Sequence, residues 1–226
     1  MQLTYNHNGS MTVTVPAFNA TYFRFLMQSK SIVPLQELFS VAQDSAKEWT
    51  ESMSAYFHLR KHIKDETLVI HVGDGAHCRT GGLFAFHSGH ANVSVDPAVN
   101  VTRMENWKNQ YQVRRFDWVK DKAENVVESI VSKWYASTGK PVLLTFVHAH
   151  VDTAEILCSL PSESWKAAYT CACCEKDRQL VPKTHNKLLV DEPDRDWRIL
   201  SPENTFQMIY PFRTPTYTLT GVNVTI

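Results

Sequence analysis

The sequence predicts an α/β fold, a mostly parallel sheet with helices on both faces, and three observations carry that expectation. Short apolar runs of strand length recur along the chain, amphipathic segments of helical period separate several of them, and glycine or proline marks many of the joins. The length of 226 residues suits one globular unit. Hydrophobic residues at 43% and charged residues at 20%, with only 8 Gly and 10 Pro, exclude collagen-like, coiled-coil and disordered chains.

The elements follow in order. Residues 1–26 alternate in strand fashion, and MTVTV follows the turn signal Asn8-Gly9, so a short hairpin is expected. From Leu35 the apolar positions Leu38, Phe39, Ala42, Ala46, Trp49, Met53, Tyr56 and Phe57 recur at helical spacing, which predicts one amphipathic helix beginning near Pro34. Residues 1–65 are therefore read as a hairpin and helix packed on a core formed by residues 66–226.

That core begins with LVIHV (68–72) and continues through NVSVDP (92–97), YQVRRFDW (111–118), PVLLTFVHAH (141–150) and KAAYTCACC (166–174), five expected strands. The clearest intervening helix carries Ala123, Val126, Val127, Ile130, Val131, Trp134 and Tyr135 on one face and stops at Gly139-Lys140-Pro141. Residues 182–197 read as a loop. TFQMIY (205–210) and the alternating segment 216–226 have no helix between them, which predicts C-terminal antiparallel strands finishing the sheet.

Charge narrows the functional classes. Lys plus Arg equal Asp plus Glu at 23 each, so no global field draws the chain to nucleic acid or an anionic membrane, and any RNA partner needs a local patch. Arg103, Lys108, Arg114 and Arg115, interleaved with Trp107 and Tyr111, form the one such mixture read here, with a solvated face as its plain alternative. Five cysteines are an odd number and Cys173 adjoins Cys174, which suits a reduced, intracellular compartment, cytoplasmic or nuclear. Five Asn-x-Ser/Thr triplets have no signal peptide before them, and no apolar run reaches membrane-spanning length, so a soluble protein without a membrane partner is expected.

The chemistry is expected beyond the carboxyl ends of the strands, where ligands bind in open α/β sheets. The first core strand runs into Gly73-Asp74-Gly75-Ala76-His77-Cys78, and glycines there permit a tight turn and a close backbone approach to a ligand. Neither a full GxGxxG nor a phosphate loop is present, which disfavours a dinucleotide or a nucleoside triphosphate. Asp96 follows Gly75 by 21 residues, and its carboxylate can accept from both hydroxyls of a ribose. Asp117, after the same interval again and beside Phe116 and Trp118, suits an adenine amino group covered by a ring. Together these residues suit an adenosine moiety without a phosphate.

At this point the chain resembles the class I S-adenosylmethionine-dependent methyltransferases. Within them it is most similar to the branch of the tRNA 2'-O-methyltransferases and related methyltransferase domains, over roughly residues 65–180. The stretches that carry the likeness are the glycine loop, His148-Ala149-His150-Val151-Asp152-Thr153-Ala154-Glu155, and Ala172-Cys173-Cys174-Glu175. The chain departs from the pattern at His71, where an acid is usual, at His77 for the third glycine, at His150 for a cysteine and at Ala172 for a proline.

The resemblance implies a Rossmann-like methyltransferase fold and S-adenosylmethionine as cofactor. His71, Gly73, Gly75 and His77 are then expected around its methionine part, Asp96 at the ribose, and Phe116 with Asp117 at the adenine. His148, Asp152 and Cys173 are expected to line the catalytic, acceptor side, with RNA as the implied substrate. Two other readings stay open on the residues. The loss of an acid at His71 fits a non-catalytic binding or scaffold subunit that works with a protein partner. Cys171, Cys173, Cys174, His148, His150 and His185 raise a zinc site, although the Cys-x-Cys-Cys spacing is not that of a zinc knuckle.

Overall fold

The computed structural model describes residues 2–5, 11–14, 32–43, 45–63, 66–171, 197–200 and 218–220. Strands β1 (Gln2–Tyr5) and β2 (Met11–Thr14) form the expected antiparallel hairpin. The single helix expected from Pro34 onward is two helices, α1 (Ile32–Phe39) and α2 (Ser45–Leu59). The break has a local cause: the Ala42 N–H turns back onto the Phe39 carbonyl, and the Ser45 hydroxyl donates to that same carbonyl at 2.8 Å, closing α1. Apolar periodicity survives the corner because both helices bury residues in one core, Leu35, Leu38 and Phe39 from the first and Trp49, Met53 and Leu59 from the second.

The core alternates strand and helix as β3 (Leu68–Val72), α3 (Arg79–Ser88), β4 (Ala91–Val95), α4 (Val101–Gln110), β5 (Phe116–Val119), α5 (Ala123–Thr138), β6 (Val142–Val147), α6 (Thr153–Ser159) and β7 (Trp165–Cys171). The five strands are all parallel in the order β5-β4-β3-β6-β7. Chain progression leaves β3 toward β4 on one side and toward β6 on the other, so the topological switch point lies between β3 and β6.

Two expectations about strands are corrected. The third core strand, expected over 111–118, starts at Phe116, because α4 runs to Gln110 and Gln112 and Arg115 take left-handed backbone at φ 50° and 56°, which no strand accommodates. The C-terminal segments do not finish the core sheet as a pair: β9 (Thr218–Thr220) pairs with β2 in a separate three-stranded sheet, and 205–210 lies outside the described residues. The strand antiparallel to β7 is instead β8 (Trp197–Leu200), reached after the segment read as a loop.

Strand alternation sorts the buried side chains onto two sides. Ile70, Val72, Val95, Leu144 and Phe146 pack toward α5 and α6. The opposite side meets α1 to α4 through Phe84, Trp107, Phe116 and Tyr169. Helix α3 approaches closely because Gly81 has no side chain: a Cβ there would lie 2.2 Å from Ser94 Oγ and 2.7 Å from the Phe116 ring.

Candidate functional site

Beyond the carboxyl ends of β3 and β6, at the switch point, lies a crevice of about 620 Å³. Gly73, Asp74 and Gly75 form one side and Val147 and His148 another, while α2 and α3 close it with Glu48, Ser52, Arg79 and Thr80. Its size is that of a small-molecule site.

The glycine loop is built for contact with the neighbouring strand end. Gly73 has φ +67°, and a Cβ on it would stand 2.6 Å from Ala149 Cβ, so only glycine fits between the two loops. The polar centre of the loop is Asp74, which the sequence reading passed over. Its buried carboxylate accepts from the Thr80 and Gly81 amides, both at 2.8 Å, and from the Ser94 hydroxyl at 2.6 Å. Burial raises its pKa to about 6, against the opposing pull of those hydrogen bonds. The signal was present, an acid shortly before the small residues Thr80, Gly81 and Gly82 that open a helix, whose first amides need an acceptor. Cys78 precedes α3 in left-handed backbone (φ 45°), and burial first, then the nearby Asp74 charge, pushes its thiol far above the ordinary range.

The residues expected at the cofactor divide. Gly73 and Gly75 line the crevice. Asp96, just past β4, accepts from the Gly75 amide at 2.9 Å and the Ala98 amide at 2.7 Å, which ties it to the same loop. His77 is half-buried beside Arg79, and burial, Arg103 and Arg79 lower its pKa.

His71 is a correction: it is wholly buried, with Nδ1 at 2.8 Å from Thr145 Oγ1 and Nε2 at 3.2 Å from Asn92 Oδ1, and it faces the core rather than the crevice. Burial drives its pKa down to about 3, so the ring is neutral. Phe116 and Asp117 are corrections as well. Because β5 begins at Phe116, both sit at the amino end of the sheet, Phe116 buried against Trp107 and Asp117 exposed and paired with Lys108 at 3.2 Å. The carboxyl end of β5 is Val119, whose carbonyl accepts from the Asp96 amide at 3.1 Å.

On the expected catalytic side, His148 lines the crevice in left-handed backbone at φ 56°, and its Nε2 pairs with the Glu51 carboxylate from α2. The spacing of His148 and His150 does not put them on one strand face, since β6 ends at Val147; His150 is exposed. Asp152 is a correction: its Oδ1 accepts from the Glu155 amide at 2.9 Å, so it is the N-cap of α6 and does not line the crevice. Cys173, with Cys174 and His185, lies outside the described residues. Among the described residues no group of three or more His, Cys, Asp or Glu gathers to hold a metal, and no helix is long and apolar enough to cross a membrane.

The sequence also gave no sign of what α2 brings to the site. Glu48 pairs with Arg79, Glu51 with His148, and the Ser52 hydroxyl lies 3.2 Å from that of Thr80. These polar residues interrupt the apolar stripe of α2 on the side that faces the strand ends.

No family model and no curated protein matches the chain by sequence. Solved structures align with parts of it. The SAH-bound methyltransferase PaMTH1 of Podospora anserina aligns at 13% identity and a TM-score of 0.44, over 70% of this chain and 72% of that one. The N-terminal domain of human METTL16 in complex with SAH aligns at 13% identity and a TM-score of 0.44, over 80% and 81%. An rRNA methylase from Streptococcus thermophilus aligns at 18% identity and a TM-score of 0.35, over 55% and 72%.

Proposed function

We propose that the chain is an S-adenosylmethionine-dependent methyltransferase acting on RNA. The observation that supports the cofactor is the occupant of the α3 N-terminus. In dinucleotide and triphosphate sites that helix end donates its amides to phosphate; here the Thr80 and Gly81 amides are spent on the buried Asp74 carboxylate. A switch-point crevice whose anion site is filled from within suits an adenosine compound without phosphate. Glu48 and Arg79, an ion pair on the crevice wall, and Lys47 beside them bring both signs of charge to the place where the ammonium and carboxylate of an amino-acid end would join them. Asp96, at the neighbouring strand end, retains acceptor capacity for ribose hydroxyls beside its two amides.

When bound, S-adenosylmethionine supplies a methyl group already activated by its sulfonium, so the protein's work is alignment and proton removal. Gly73 and Gly75 admit the ligand close to the backbone. His148, on the crevice wall and paired through Nε2 with the Glu51 carboxylate, is the imidazole placed to act as proton acceptor. An RNA ribose hydroxyl as acceptor rests on the resemblance around His148 and on that proton acceptor. The non-catalytic alternative drew on His71, which is a core residue here, while the crevice has acids of its own in Glu48 and Asp74.

Isothermal titration of S-adenosylmethionine and its demethylated product tests the reading. Micromolar binding is expected, with loss in Asp96→Ala and weakening in Asp96→Asn while circular dichroism stays unchanged. Absence of heat with either ligand in the folded wild-type protein overturns it.

A further inference from the structure

At the amino end of the sheet, opposite the crevice, a second depression of about 510 Å³ lies over the starts of β3, β4 and β5 and against α5. Its floor includes Val93, Ile130 and Trp134, and its edges carry Lys108, Arg115 and Lys133 against one lining carboxylate, Asp117. Two of these cations are held in place. Lys108 is tied to Asp117 and stands 5.4 Å from the centre of the Trp118 ring, and Arg115, in left-handed backbone, donates to the Gly89 carbonyl at 2.9 Å. The Trp134 indole N–H is buried and meets no acceptor among the described residues. A buried donor without a partner is uncommon enough to need a reason.

The basic and aromatic mixture read in the sequence separates here. Arg103, Trp107 and Tyr111 serve α1, donating to the Glu37 carbonyl at 3.2 Å, the Pro34 carbonyl at 2.9 Å and the Glu37 carboxylate at 2.6 Å. Lys108 and Arg115 instead join Lys133 and Trp134 of α5, of which the sequence pattern places only Trp134, on a helix face.

We propose that this groove holds a segment of single-stranded nucleic acid, with phosphates at Lys108, Arg115 and Lys133 and a base against the Trp134 floor. Fixed cations around a recessed aromatic floor match the two chemically distinct parts of a nucleotide, charge at the backbone and a flat apolar face on the base. An acidic peptide answers the cations but leaves the floor without a ligand. The inference stands on residues at the opposite end of the sheet from the cofactor crevice and does not depend on that reading.

The test is fluorescence anisotropy with a short labelled oligouridylate, read at several salt concentrations. Wild-type protein is expected to bind. Lys133→Glu and Arg115→Glu are each expected to weaken binding about five- to tenfold, and the double variant to lower the salt slope by about 1.4, two phosphate contacts at the single-strand value. Lys61→Glu, the same charge change at an exposed residue outside the groove, is expected to stay within about twofold of wild type. The proposal is overturned by an absence of wild-type binding, by equal losses in Lys133→Glu and Lys61→Glu, or by binding of polyglutamate in place of the oligonucleotide. Titration of S-adenosylmethionine into Lys133→Glu is expected to match wild type, so a failure at the groove is distinguishable from one at the crevice.

Discussion

The two sides of the core sheet arise from the same strands and both bury hydrocarbon, but the side toward α1 to α4 adds a buried network of hydrogen bonds. Toward α5 and α6, β3, β4 and β6 present Ile70, Val72, Val95, Leu144 and Phe146, hydrocarbon with no hydrogen bond to satisfy. Toward α1 to α4, alternate positions of the same strands present His71, Ser94, Asn92 and Thr145, all buried and all engaged in hydrogen bonds. His71 joins β4 to β6 across β3, directly beneath the switch point. Ser94 holds Asp74, and Asp74 holds the start of α3. The difference teaches a division of labour. Burial of hydrocarbon is non-directional and supplies stability, whereas hydrogen bonds are directional and fix where the glycine loop stands.

Leu144→Ala makes the largest break in this comparison. A fully buried leucine on the hydrocarbon side is expected to cost about 2–5 kcal/mol in urea unfolding, with the affinity for S-adenosylmethionine retained wherever the protein is still folded. A loss of affinity larger than the loss of folded protein would show that both sides position the site.

Asp74→Asn acts on the other side. An amide keeps one acceptor oxygen but cannot receive the Thr80 amide, the Gly81 amide and the Ser94 hydroxyl together, so a loss of about 1–3 kcal/mol is expected. Here the affinity is expected to fall with the stability, and an unchanged affinity would separate the loop from the site.

The smallest effect is in the pH dependence, and it has two opposed parts. His71 has a folded pKa of about 3, well below the ordinary 6.5, so its contribution is complete above 6.5 and is lost as the pH falls toward 3. Asp74 has a folded pKa of about 6, above the ordinary 3.8, so its contribution is complete below 3.8 and is lost as the pH rises through 6. Urea midpoints between pH 6.5 and 4 are expected to fall less steeply in His71→Gln than in wild type, and more steeply in Asp74→Asn. Parallel profiles in all three proteins would remove the polar side from the account.

Much of this architecture was legible in the sequence, and the failures have physical causes. LVIHV and VLLTFV are mostly apolar because both of their faces are covered, and runs of that kind locate buried parallel strands without help from tertiary structure. The start of β5 was not legible because the left-handed turns at Gln112 and Arg115 involve residues that carry no glycine signal. That displacement moved Asp117 from one end of the sheet to the other and removed the adenine assignment with it. The positions of Gly73 and Asp96 at the strand ends were legible because they follow from local backbone and strand length. Glu51 and Glu48 were not, since a glutamate on an amphipathic helix reads as solvated until a partner such as His148 or Arg79 comes from elsewhere in the fold.

Cys78 gives this loop a clock. Its side chain is wholly buried just before α3, and its thiol is held in the protonated form by burial and by the Asp74 charge, so alkylating reagents find neither access nor thiolate while the loop is closed. Its modification therefore requires an opening that exposes the start of α3. The rate at which this sulfur reacts reports the open population of the loop, and a molecule seated in the crevice is expected to slow it.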